Sequence, residues 1–95
     1  MNEVLQALYD EFVNEYKFIA TMGNRSSIRF EVRDAAVPPT MRAFVILQIV
    51  GCNAIVFGYD KRVAAGGESV KFDMNDESFF TQVLGELYSR GASFD

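Results

Sequence analysis

Apolar positions along this chain change period from one segment to the next, and each change marks an element. Val4, Leu5, Leu8, Phe12 and Tyr16 recur at steps of three and four, the spacing that gathers a single stripe on an α-helix. Asn2 stands where a side chain caps a first turn, and Glu3 where the helix dipole favours an acid. Past Tyr16 the period falls to two: Phe18, Ala20 and Met22 alternate with Lys17, Ile19 and Thr21. Gly23-Asn24-Arg25-Ser26 then supplies turn residues, and Ile28, Phe30 and Val32 alternate with Arg29, Glu31 and Arg33. That alternation predicts a hairpin. A competing reading runs the first helix to Met22 and stops it at Gly23, since Tyr16 and Ile19 also fit the helical stripe.

The segment from Asp34 to Thr40 contains Pro38-Pro39, which cannot donate ladder bonds, and reads as a loop. Met41 to Val50 and Ala54 to Asp60 are predicted as the central strands, a second hairpin turning about Gly51-Cys52-Asn53. Ala43 to Val50 is apolar on both alternating sets. A strand with one wet face alternates, whereas one covered on both faces reads as a continuous β-branched run. Gly58 marks a bulge or a close approach. Ala64-Ala65-Gly66-Gly67 reads as a mobile turn before a short edge strand at Val70-Lys71-Phe72. Asn75 or Asp76 caps a last helix with Phe79, Phe80, Val83, Leu84, Leu87 and Tyr88 on its stripe, Arg90 in its final turn and Gly91 just beyond. The predicted fold is α+β: residues 1–95 form one domain, a two-layer sandwich. An antiparallel sheet of four or five strands is flanked by an N-terminal and a C-terminal helix, both on one face.

Composition narrows the function. With 95 residues, 49% of them hydrophobic, the chain can build a core, although a domain of this size buries only about 60% of its unfolded surface. The net charge of −4 is unevenly spread. Glu3, Asp10, Glu11 and Glu15 face no base at the N-terminal end, and Arg90 is the only base after Lys71. Between these acidic ends, Lys17, Arg25, Arg29, Arg33, Arg42, Lys61, Arg62 and Lys71 face only Glu31, Asp34, Asp60 and Glu68. An acidic total opposes a whole-surface hold on nucleic acid, and a basic centre favours a local docking face. A start without a basic leader, and an apolar run too short to span a bilayer, lead us to expect a soluble, cytoplasmic protein without a membrane partner.

Chemistry is poorly represented. Acid–base catalysis is expected of desolvated groups with separated pKa values; this chain has no His, and its acids fall on solvated helix faces. Ser26, Ser27 and Ser69 have no candidate base. Asp73, Asp76 and Glu77 lack the spacing of a calcium loop. Gly66-Gly67 lacks the Lys-Ser/Thr of a phosphate loop. Cys52 is a lone cysteine without a CxxC partner, and reads as a small hydrophobe. No enzyme, metal or cofactor is expected.

Two candidate surfaces remain. Arg29, Glu31 and Arg33 share one face of a strand, with Arg25, Lys61 and Arg62 in adjacent turns. The group reads either as a grip for an acidic surface or as a charge ladder guarding an edge. If both helices cover one face, either the set Ala43, Val45, Leu47 and Ile49 or its complement Phe44, Ile46 and Val50 is left without a cover. Phe44, Val45, Ile46 and Leu47 are thus candidates for an oligomer interface. A helix on each face, or a curled sheet, would make a monomer sufficient. In size, acidity and α+β outline the chain resembles small phage-encoded inhibitors, such as anti-CRISPR proteins, and bacterial immunity proteins. That likeness implies a non-catalytic protein that acts by docking on a partner protein, and it carries no residue over. The alternatives are a structural or assembly subunit of phage-accessory type, forming a homo-oligomer through its sheet, and nucleic-acid binding through the basic face.

Overall fold

The computed structural model describes residues 3–23, 26–33, 43–63 and 65–95. Helix α1 (Glu3–Asp10) continues into a π-helical turn (Glu11–Glu15). Strands β1 (Ala20–Met22), β2 (Ser27–Val32), β3 (Ala43–Val50), β4 (Asn53–Asp60) and β5 (Ala65–Asp73) follow, then helix α2 (Phe79–Arg90). The strands form one antiparallel sheet in chain order. This is the α+β arrangement expected, with five strands. The expectations placed on Asn2, Asn24, Arg25, Pro38-Pro39, Arg42 and Ala64 lie outside the described residues. Among the described residues no helix is long and apolar enough to cross a membrane.

Period two sorts the sheet into two faces. Ile28, Phe30, Val32, Val45, Leu47, Ile49, Ala54 and Val56 are buried on the inner face. They form one cluster with Leu5 and Phe12 of the N-terminal helical segment and Phe79, Val83 and Leu87 of α2. Both helices therefore pack on the same face, giving two layers. Leu8, Tyr9 and Tyr16 also pack on this cluster, whereas Val4, expected on the stripe, is half exposed.

The helix does not run to Met22. Its last turn widens, Tyr16 N–H reaching Glu11 O at 3.4 Å and Phe18 N–H reaching Phe12 O at 3.0 Å, and Lys17 ends it in the left-handed region at φ 62°. Residues Ala20 to Met22 then pair with Phe30 to Ile28, as the alternation predicts. Phe18 belongs elsewhere: it bridges to Phe94. The C-terminal tail enters the sheet here, with Ser93 N–H donating to Glu31 O at 2.8 Å and accepting Ile19 N–H on its own carbonyl at 3.0 Å.

Three local expectations are corrected. The central hairpin turns on two residues, because Val50 pairs with Asn53 and leaves Gly51-Cys52 as the loop; Gly51 takes the positive φ of 60° that such a turn needs at its first position. Gly66-Gly67 is strand rather than a mobile turn. Gly67 lies opposite Gly58, and a Cβ there would sit 2.7 Å from the Asp60 Cβ, so the missing side chain is what lets β5 pair closely. Helix α2 starts at Phe79, later than an Asn75 or Asp76 cap requires. The Asp76 carboxylate instead accepts the Ser78 N–H and hydroxyl, both at 2.9 Å, closing a turn ahead of the helix. The expected stop holds: Gly91 is left-handed at φ 99°, and its N–H donates to Leu87 O.

Candidate functional site

The register places the candidate residues. Across the outer face one row reads Thr21, Arg29, Ile46, Phe57 and the next Ser27, Gln48, Ile55, Lys71. Phe44, Ile46, Ile55 and Phe57 are half-buried, yet none of them belongs to the core cluster. They form an apolar strip in the middle of the face turned away from the helices. Arg29 lies over the strip, its guanidinium carbon 5.0 Å from the Phe44 ring centroid, close enough for a cation–π contact. Exposed Arg29, Gln48 and Lys71 rim the strip, and Glu31 is half-buried beside Phe44.

Phe44 and Ile46 therefore stand on the face opposite both helices. Val45 and Leu47, proposed alongside them for an oligomer interface, are corrected. They alternate inward and are fully buried beneath the protein's own helices. Ile55 and Phe57 complete the strip and were not singled out from sequence. A three-residue turn at Gly51-Cys52-Asn53 would pair Val50 with Ala54 and put them on the wrong face; the two-residue turn brings Phe57 beside Ile46.

The basic candidates separate. Arg29 and Glu31 share the outer face of β2, and Arg33, one residue beyond the strand, approaches Glu31 at 3.7 Å, with 65% of its own side chain exposed. Lys61 follows β4 at the same end of the sheet as Arg33, because β2 and β4 run in the same direction. Arg25 lies outside the described residues. Arg62 is engaged internally. Its guanidinium forks onto Asp60, Nε to Oδ1 and Nη2 to Oδ2, each at 2.8 Å, and reaches Glu86 at 2.6 Å. Glu86 also accepts Arg90 Nε at 2.7 Å. Arg90, in the final turn of α2 as expected, is buried with its side chain 1% exposed. It donates to Gly58 O at 3.4 Å and to Glu68 O, tying α2 to the bulge between β4 and β5. Arg62, 48% exposed, thus has its guanidinium engaged by two carboxylates of its own chain.

The Arg62 hydrogen bonds hold the Asp60 carboxyl below the usual carboxylate range, against the opposing effect of burial. A carboxylate with a depressed folded-state pKa contributes stability that is complete above its unfolded value of about 3.9. That stability is lost as the pH falls through the folded value. The wild-type protein is expected to lose more unfolding free energy than Asp60→Asn between about pH 6 and pH 3, measured by urea titration at each pH. Equal losses would contradict this role.

No family model, curated protein or solved structure matches the chain.

Proposed function

We propose that the protein is a non-catalytic binding protein of inhibitor or immunity type, acting by laying the outer face of its sheet over a partner protein. The observation that carries this reading is the strip of Phe44, Ile46, Ile55 and Phe57 on the face opposite both helices. An apolar centre with a polar rim is the anatomy of a protein interface. Arg29 and Lys71 flank the strip, and neither has a carboxylate within ion-pair distance among the described residues. The partner surface that fits is apolar at its centre and acidic at its edge. Charge attraction speeds encounter, and desolvation of the strip holds the complex.

Ile46→Arg puts a charge at the centre of the strip without touching the core. Immobilised wild-type protein is expected to retain a specific protein from its cells of origin that the Ile46→Arg protein does not retain. With that partner purified, Arg29→Glu combined with Lys71→Glu is expected to slow association by about tenfold or more at low salt. Equal retention by both baits would overturn the assignment of this face. Sedimentation equilibrium separates the other occupant: a dimer abolished by Ile46→Arg would make a second copy of the chain the partner.

A further inference from the structure

A cavity of about 540 Å³ opens where the tail leaves α2, lined by Ile19, Arg33, Lys61, Tyr88, Ser93 and Phe94. We propose that it binds a mononucleotide, the base seated in the corner between Tyr88 and Phe94 and the phosphate held by Arg33 and Lys61.

The corner comes from three rings. Tyr88 and Phe94 stand at 90° with centroids 5.4 Å apart, and Phe18 supports both from behind, at 5.0 and 6.3 Å. Phe18 is buried, while Tyr88 is 37% and Phe94 59% exposed. The two outer rings are thus fixed from the core side and open on the solvent side. A planar base stacks on one ring with its edge against the other, and such stacking accepts any base.

The charge comes from two strands that end together. Among the described residues the lining holds two cations and no carboxylate. Arg33 pairs with Glu31 at 3.7 Å, without a hydrogen bond, and its side chain is 65% exposed, so its N–H groups can turn to a phosphate. Lys61 is positioned by its backbone, whose N–H donates to Arg90 O at 3.0 Å. Its stem lies along Gly91, where a Cβ would come within 3.3 Å of the Lys61 Cβ and Cδ. Ser93 accepts the Arg33 N–H on Oγ at 2.7 Å, so its hydroxyl proton can point into the cavity as a third donor.

The space is open to solvent on one side and is wide enough for a single nucleotide laid against its wall. A single nucleotide fits this arrangement better than a polymer. A strand of nucleic acid is held by a track of cations, whereas this molecule carries −4 overall, and Glu3, Asp10, Glu11 and Glu15 lie on its N-terminal helix without a base.

Titration calorimetry with AMP, adenosine, inorganic phosphate and a single-stranded dodecamer tests the site. AMP is expected to bind, and both adenosine and phosphate to bind at least about tenfold more weakly, since each lacks one half of the recognised group. Phe94→Ala and Lys61→Gln are each expected to weaken AMP by about tenfold. Both side chains are exposed, so thermal melts of these variants should overlay the wild type; if Phe94→Ala melts early, Arg33→Gln takes its place. Absence of AMP binding at about millimolar concentration, or affinity unchanged in the variants, would overturn the proposal. Binding of the dodecamer about tenfold tighter than AMP would also overturn it and assign the cavity to nucleic acid. Ile46 and Phe57 do not line the cavity, so the Ile46→Arg protein should bind AMP as the wild type does.

Discussion

Arg90→Met is expected to lower the unfolding free energy by about 3–5 kcal/mol, the cost of breaking a buried ion pair from one side. For a domain of this size that corresponds to a fall of at least about 12 °C in the thermal midpoint. The guanidinium is buried and is shared among Glu86, Gly58 O and Glu68 O. Met fills much of the volume but leaves two carbonyls without their donor and Glu86 with Arg62 alone. An exposed pair of the same kind is worth only about 0–1 kcal/mol, so the size of the loss reports burial. Arg90→Lys keeps the charge without the fork and is expected to recover only part of it. A midpoint within about 2 °C of wild type for Arg90→Met would show that the bulge is held by packing and not by this side chain.

Phe12→Ala should cost about as much, roughly 3–5 kcal/mol, for a different reason. The Phe12 ring is the hub of the core. It stacks on Phe80 at 4.9 Å and meets Phe30 and Phe18 edge-on at 5.5 and 6.0 Å. Removing it opens a void between the N-terminal segment, β2 and α2, and none of the three is free to collapse into it. Phe12→Leu retains most of the volume and is expected to cost under about 1.5 kcal/mol. Chemical denaturation of the two variants checks the ordering. A Leu variant as unstable as the Ala variant would mean that ring geometry, and not filled volume, dominates.

Much of this architecture was legible because the relevant signals are local. Stripes at helical spacing located both helices, alternation located β2, and an unbroken apolar run located β3. Gly91 marked the end of α2 because a left-handed residue is needed there. Signals failed where a residue answers to something distant in sequence. Gly66-Gly67 reads as a turn until Asp60 is seen against it. Arg90 reads only as a base in the last helical turn until the Gly58 and Glu68 carbonyls are placed beside it. The candidate site shows the same division. Phe44 and Ile46 were identified as one of two alternating sets, and the position of both helices decided between the sets. Ile55 and Phe57 depended on the length of a turn, which one residue changes. The cavity joins positions from 19 to 94, and no pattern within a short window contains it.

The stitching of Ser93 to Ile19 and Glu31 and of Asp95 to Lys17 also sets an order of events during synthesis. Each strand of the meander can pair with the one made just before it while translation proceeds. The segment between the first helix and β1 is completed only in part this way, because Ile19 N–H and Lys17 O pair with Ser93 and Asp95. Ile19 N–H and Lys17 O therefore find their partners only through a contact distant in sequence, which makes closure of this seam a late, non-local step of folding.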